Sequence, residues 1–252
     1  MNQITKYSAS SMKTYSQCNR KFYYTYIKKL PRQPWDHFDL GTLCHYALEF
    51  FYRNYKEGED PAEIMGESFK RARQQLGKVK TPIIKEAKQL LQDYVYKIKE
   101  EGIPKIDRSL EKKFKFTLDG KYVLNGIIDR LDQDENGNYF IYDYKTSKSI
   151  KYMDDFQLAV YALWFFDEHK DIDEVNAGYI MLRHDSRILK YKFTRESIES
   201  RKREILNYCE SILAEKEWGK NPGPLCRYCD FYTELGGPCE GSKKKMGWTV
   251  NL

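Results

Sequence analysis

The 252-residue sequence has no apolar run that approaches the roughly 20 residues needed to cross a bilayer, which excludes a helical membrane protein. Its first residues lack the charged-then-apolar pattern of a secretion signal, so a cytoplasmic protein is expected. It has no internal repeat and no low-complexity segment; the nearest thing to a tail begins at Gly241 and holds Lys243, Lys244 and Lys245. Cysteine is scarce, at six residues. In a reducing compartment such thiols stay free, and clustered ones are metal ligands before they are disulfides. Charge of one sign is in only mild excess: the net charge is +6, with 32% charged residues. That is compatible with a polyanionic partner without requiring one.

Aromatic residues are plentiful instead, at 15% with 21 tyrosines. Many must be partly exposed, and exposed rings can stack on unpaired bases as well as serve as core and rim. The length allows a full core, and a single domain over residues 1–252 is expected. It divides into N-terminal helices (8–60), a helical insertion (61–104), a strand-rich core (108–195) and a C-terminal helix with a cysteine cluster (196–240).

The most informative stretch is Asn125–Lys145, NGIIDRLDQDENGNYFIYDYK. It reads as two strands around Glu135-Asn136-Gly137, where Asn and Gly tolerate positive φ. A three-residue loop with Gly137 left-handed sets Asp134 opposite Asn138, and counting back sets Asp129 opposite Asp143. Opposed residues have Cβ atoms roughly 4.5–5.5 Å apart. Two carboxylates that close repel unless a cation lies between them. Lys145, two residues beyond Asp143, shares their face. A two-residue turn would put the two acids on opposite faces, so register decides the chemistry. Acids, an ion and an ammonium suit phosphodiester hydrolysis: the ion lowers the pKa of a bound water, and the ammonium offsets developing charge. The plain alternative is two solvated strand-end acids with Lys145 as a surface partner.

Periodicity lays out the rest of the chain. A helix is expected from Ser8 to about Leu30, capped by Ser8 or Ser10, with Tyr15, Cys18, Phe22 and Tyr26 on one face. Gly41–Tyr55 reads as a second helix with His45 and Glu49 one turn apart, and two charged helices follow at about 61–77 and 81–101. Leu110–Leu118 alternates as a strand, broken only at Lys112, and Asp119-Gly120 turns it into Tyr122–Leu131. After Lys145, a helix from about Met153 to His169 carries Gln157 and Tyr161 on one side. Strands at Val175–Leu182 and Ile188–Phe193 and a helix from Glu196 to Trp218 follow; Cys44 and Cys209 read as core. Cys226-x-x-Cys229 sits in a Pro/Gly loop with metal-knuckle spacing, and Cys239 follows. Four-cysteine sites hold zinc or a [4Fe–4S] cluster, and spacing alone does not choose.

Gly-Ile-Ile-Asp129-Arg-Leu-Asp followed by Ile-Tyr-Asp143-Tyr-Lys145-Thr resembles the core of the PD-(D/E)XK nucleases, in particular the RecB-type branch. That branch includes CRISPR-associated adaptation nucleases, AddB-type nuclease domains and phage exonucleases. The likeness runs from Ser8 to Cys239. It implies an α/β fold: a restriction-endonuclease-like mixed sheet flanked by helices, with a helical insertion and an iron–sulfur lobe built from both termini. It implies that His45, Asp129, Asp143 and the backbone carbonyl of Tyr144 hold Mg²⁺ or Mn²⁺, with Asp129, Asp143 and Lys145 catalytic. Gln157-x-x-x-Tyr161 would support the active site and DNA binding, with Arg130 and Glu111 in lesser supporting roles. Cys18, Cys226, Cys229 and Cys239 would ligate a [4Fe–4S] cluster, with zinc as the alternative. Two departures stand out: Cys18-Asn19-Arg20 lacks the family's proline, and the gap to Cys239 is long. The implied activity is metal-dependent exonucleolytic hydrolysis of DNA, single-stranded or at duplex ends, with protein partners in recombination, repair or CRISPR adaptation. The rival reading is a scaffold that binds DNA ends or a partner with little or no catalysis.

Overall fold

The structure, a computed structural model, describes residues 6–33, 36–101 and 107–241. Lys243, Lys244 and Lys245 lie outside the described residues. Among these residues five strands form one mixed sheet in the order β1-β2-β3-β4-β5. They are β1 (Asp107–Leu118), β2 (Tyr122–Gln133), β3 (Tyr139–Lys145), β4 (Glu174–Met181) and β5 (Arg187–Thr194). β2–β3 and β4–β5 pair antiparallel, β3–β4 parallel. A parallel step needs a crossover, and α6 (Phe156–Glu168) supplies it. Both turns form where the sequence places them. Asp119 and Gly120 have φ of 53° and 63°, and Lys121 donates its amide to the Leu118 carbonyl at 3.1 Å, as a two-residue hairpin requires. Gly137, at φ 81°, closes the three-residue loop, and the Asp134 amide donates to the Asn138 carbonyl at 3.0 Å.

The chain forms two compact units, and the larger draws on the described parts of Pro34–Phe116 and Asn125–Arg203. In it α3 (Asp36–Asn54), α4 (Pro61–Leu76) and α5 (Thr81–Glu101) pack together. Leu43, Leu48, Phe51, Met65 and Leu91 are buried with Tyr144, Ile180 and Leu182 from the sheet side. Asp60 starts α4 by accepting the Ala62 amide at 3.1 Å. α6 is buried nearly all round, from Leu158 to Phe166, as expected of a helix apolar on every side. Phe114 of β1 stacks on Trp164 of α6 at 5.3 Å. Gly126 leaves room for that ring: a Cβ there would come within 2.6 Å of it. The helices thus cover both faces, with Tyr144 packed among α3–α5 and Asp143 bonded to α6.

The smaller unit draws on the described parts of Met1–Gln33, Thr117–Leu124 and Glu204–Leu252. Ser8 caps α1 (Ala9–Gln17) in a capping box with Ser11. The single helix expected to about Leu30 is interrupted. Cys18 is extended (φ −168°, ψ 116°), α2 (Asn19–Phe22) restarts, and a π-helical turn follows over Tyr23–Ile27. Two tertiary bonds outweigh the helical pattern there: Asn19 Nδ2 donates to Glu215 Oε2 at 2.6 Å and Arg20 Nε to the Trp218 carbonyl at 2.7 Å. α7 (Glu199–Ala214), whose later part lies in this unit, ends short of the expected Trp218. The Glu215 carboxylate captures the amides of Glu217 and Trp218, at 2.9 and 3.1 Å, and so turns the chain. Phe22 stacks on Trp218 at 5.5 Å. Cys44, in the larger unit, and Cys209, in the smaller, are fully buried, as expected of core thiols. No described helix is long and apolar enough to cross a membrane.

Candidate active site

The register of β2 on β3 sets Arg130 opposite Tyr142, so one further step sets Asp129 level with Asp143, as the hairpin loop dictates. The ladder's paired residues end there, and the Asp129 side chain takes the next donor: the Tyr144 amide donates to Asp129 Oδ2 at 2.8 Å. His45 reaches the same point from α3. Its Nε2 lies 3.0 Å from the Tyr144 carbonyl oxygen and its Nδ1 3.4 Å from Asp129 Oδ1. Both ring nitrogens face oxygen acceptors, which favours the imidazolium. Burial works against that charge, but the charge of Asp129 and its hydrogen bond prevail and push His45 up to about 9.

Glu111 joins this pair. It holds a left-handed backbone, φ 49°, inside β1. A side chain of this kind in a strand costs on the order of 1–3 kcal/mol, and it changes where the residue points. One ligand atom each from His45, Glu111 and Asp129 lie within 4.8 Å of one another. Burial, followed by the charge of Asp129, pushes Glu111 up to about 7. Here an acid is driven toward neutrality and a histidine is held positive, so the cluster demands positive charge. A nitrogen and two carboxylates are a donor set that suits Mg²⁺ or Mn²⁺, and the residues fit such an ion. The sequence reading gave Glu111 only a supporting role. The signal that would have raised it was Lys112, the one charged residue on the apolar side of Leu110–Leu118, directly after Glu111.

Asp143 stands outside that group of three. It is 2% exposed, and its carboxylate is held by α6 and by its own strand. Gln157 Nε2 donates to Asp143 Oδ1 at 2.8 Å, the Tyr161 hydroxyl donates to the same oxygen at 3.2 Å, and Gln157 Nε2 lies 2.5 Å from the Tyr161 oxygen. Lys145 Nζ lies 2.6 Å from Asp143 Oδ2 and donates to Gln157 Oε1 at 2.8 Å. Burial pushes the Asp143 carboxyl above the usual range; Lys145 opposes this and Asp129 adds to it. The helical pair Gln157 and Tyr161, one turn apart in the sequence, thus meets the Asp143-x-Lys145 strand as expected.

Arg130 is not brought to this site. Only 8% exposed, it pairs with Asp132 at 2.9 Å, and its guanidinium lies over the rings of Tyr52 and Tyr142 at 4.8 and 4.5 Å. Its Nη1 donates to the hydroxyls of Tyr94 and Tyr144, each at 3.2 Å. Period-two alternation sends Arg130 to the face opposite Asp129, where it holds Tyr144 from behind.

In the smaller unit, Cys18, Cys226, Cys229 and Cys239 line one cavity of about 260 Å³. All four thiols are free. The amide of Asn221 donates to Cys18 Sγ and that of Gly223 to Cys226 Sγ, both at 3.4 Å. No three of these sulfurs lie within 4.8 Å of one another.

A family model described as the PD-(D/E)XK nuclease superfamily matches residues 6–233. Among 23 matching solved chains is a candidate exonuclease from Eubacterium rectale. It is 12% identical, with a TM-score of 0.53, and the match covers 90% of this chain and 88% of that one. A second, named SSO0001, is 15% identical with a TM-score of 0.42, covering 92% and 85%. No curated protein matches.

Proposed function

The chain belongs to the PD-(D/E)XK nuclease superfamily, and from that premise we propose that it is a RecB-type, divalent-metal-dependent deoxyribonuclease that works as an exonuclease. The observation that supports this most is the meeting of His45, Glu111 and Asp129 beside the Asp143-Tyr144-Lys145 strand. In this reading His45, Asp129, Asp143 and the Tyr144 carbonyl hold Mg²⁺ or Mn²⁺, and Glu111 is added to them. When bound, the ion polarises the phosphate and lowers the pKa of a water. The side chains do the rest. Gln157 and Tyr161 hold Asp143 Oδ1, which leaves Oδ2 toward Lys145. Gln157 fixes the Lys145 ammonium, and that ammonium orients the attacking water or offsets charge on the phosphate.

The test uses labelled single- and double-stranded DNA, open or blocked at the ends, with Mn²⁺. Wild type should shorten open-ended strands, and Asp143→Ala and Lys145→Ala should not. Equal inactivity of wild type and Asp143→Ala would leave only a DNA-binding scaffold.

The same reading gives the smaller unit a [4Fe–4S] cluster on Cys18, Cys226, Cys229 and Cys239. Support for a bound group at this place is that the four thiols line one cavity, and zinc remains the alternative occupant. When bound, the cluster would cross-link the N-terminal helices to the C-terminal loop and add folding stability. Free thiols fit a reducing, cytoplasmic setting. Anaerobic purification decides it: an iron-free yet folded and active protein rejects the cluster.

A further inference from the structure

The loop that joins β3 to α6 has both of its ends tied into the site. Lys145 closes β3, Gln157 lies in the first turn of α6, and the two are bonded at 2.8 Å. Between them the chain folds into a defined arch. His184 Nε2 lies 3.2 Å from the Ser147 carbonyl, the Lys151 amide donates to Ser149 Oγ at 3.2 Å, and the Met153 amide donates to the Ile150 carbonyl at 3.1 Å. On this arch Tyr152 is 76% exposed, more than any other large hydrophobic side chain among the described residues. Lys151 lies beside it, with its ammonium 5.6 Å from the Tyr152 ring centre, and Lys148, four residues earlier on the same arch, is exposed as well. Of the acids that follow, Asp155 pairs with Arg201, and Asp154 Oδ1 accepts the Phe156 amide at 3.3 Å. Tyr152 is five residues from Gln157. At no more than about 3.6 Å per residue its Cα is within about 18 Å of Gln157, whatever the path.

A bare ring flanked by cations has the properties of a stacking platform: the ring offers a face to any base, and the ammonium groups meet phosphates. Inside duplex DNA the base faces are already stacked on one another, so an unpaired strand can use such a ring where the interior of a duplex cannot. We propose that Tyr152, with Lys148 and Lys151, is a binding site for an unpaired nucleotide of the strand that reaches the site, within about 18 Å of Gln157, and that it gives the enzyme a preference for single-stranded DNA. This rests on the nuclease reading above and names the substrate form that the reading leaves open.

The test is fluorescence anisotropy with labelled oligo(dT) and with a two-stranded duplex whose blunt ends are covered by stacked aromatic caps, in EDTA, so that binding is read apart from cleavage. Tyr152→Ala should weaken oligo(dT) binding about 5- to 100-fold and change duplex binding less than about twofold. Tyr152→Phe should bind like wild type, and the indole of Tyr152→Trp should be quenched by the strand. An exposed position tolerates all three substitutions without unfolding. Unchanged binding by Tyr152→Ala, equal losses on both DNAs, a Phe variant as weak as the Ala one, or wild type that binds neither DNA overturns the proposal. Selective binding with no Mn²⁺-dependent cleavage would instead overturn the nuclease reading and leave this site standing.

Discussion

The main chain of Tyr144 serves His45 directly: its carbonyl lies 3.0 Å from the imidazole Nε2, while its amide holds Asp129 at 2.8 Å. One peptide segment therefore sets the spacing of two candidate metal ligands. Its side chain points to the other face, where the Arg130 guanidinium and Tyr94 pin it.

That arrangement makes Tyr144 and Arg130 testable from behind the site. Tyr144→Phe leaves one buried Arg130 donor without its acceptor and should cost about 1–3 kcal/mol. Arg130→Met takes away one of the two arginines on Asp132, which keeps Arg108 at 3.1 Å, and should cost about 1–3 kcal/mol. Urea melts give the stability. Mn²⁺ titrations on the folded variants should also show weaker binding, because Asp129 and His45 lose their fixed reference.

Removing the ammonium should act on chemistry and on folding together. Lys145→Ala is expected to lower the cleavage rate on the order of 10²- to 10³-fold, and also to lower the melting temperature, because buried Asp143 loses the cation 2.6 Å from its Oδ2. Gln157→Ala, which only loses the hold on Lys145 and Asp143, should cost about 10-fold. Single-turnover rates at saturating Mn²⁺ check both.

The metal-free protein should lose stability as pH rises. His45 is raised to about 9 when folded, so its contribution is complete below its unfolded value near 6.5 and fades as pH climbs through about 9. Glu111 is an acid raised to about 7, so folding favours its protonated form, and that advantage disappears between about pH 4.5 and 7. Both act in one direction. A divalent ion supplies the same positive charge, so the gain in melting temperature from Mn²⁺ should grow from pH 6 to 9. Calorimetry in two buffers of unlike ionisation heat should detect protons released on binding.

The cysteines should divide into two classes. Cys18→Ser, Cys226→Ser, Cys229→Ser and Cys239→Ser should each lower bound iron and melting temperature in anaerobic preparations. Cys44→Ala and Cys209→Ala, buried in apolar surroundings, should keep the iron and lose only packing. Iron analysis alongside the melts distinguishes the two.

Much of this was legible in the residue order. The Asn-Gly loop fixed the register of Asp129 against Asp143, because a turn's length leaves the strands no other pairing. Helical spacing likewise brought Gln157 and Tyr161 to one carboxylate. What escaped were positions where tertiary bonds override local preference. Cys18 breaks a continuous helical pattern because the residues after it are held by Glu215 and Trp218, about 200 positions away. Arg130 is a different case: alternation alone already puts it on the face opposite Asp129, and only its place inside the motif suggested a role at the site.

The backbone of Glu111 carries a consequence of its own. A left-handed conformation suits glycine or asparagine and resists glutamate, so this strand is under tension where it delivers a negative charge. Glu111→Gly should therefore melt at a higher temperature than wild type and yet bind Mn²⁺ less well, a divergence typical of residues kept for what they do rather than for what they hold together.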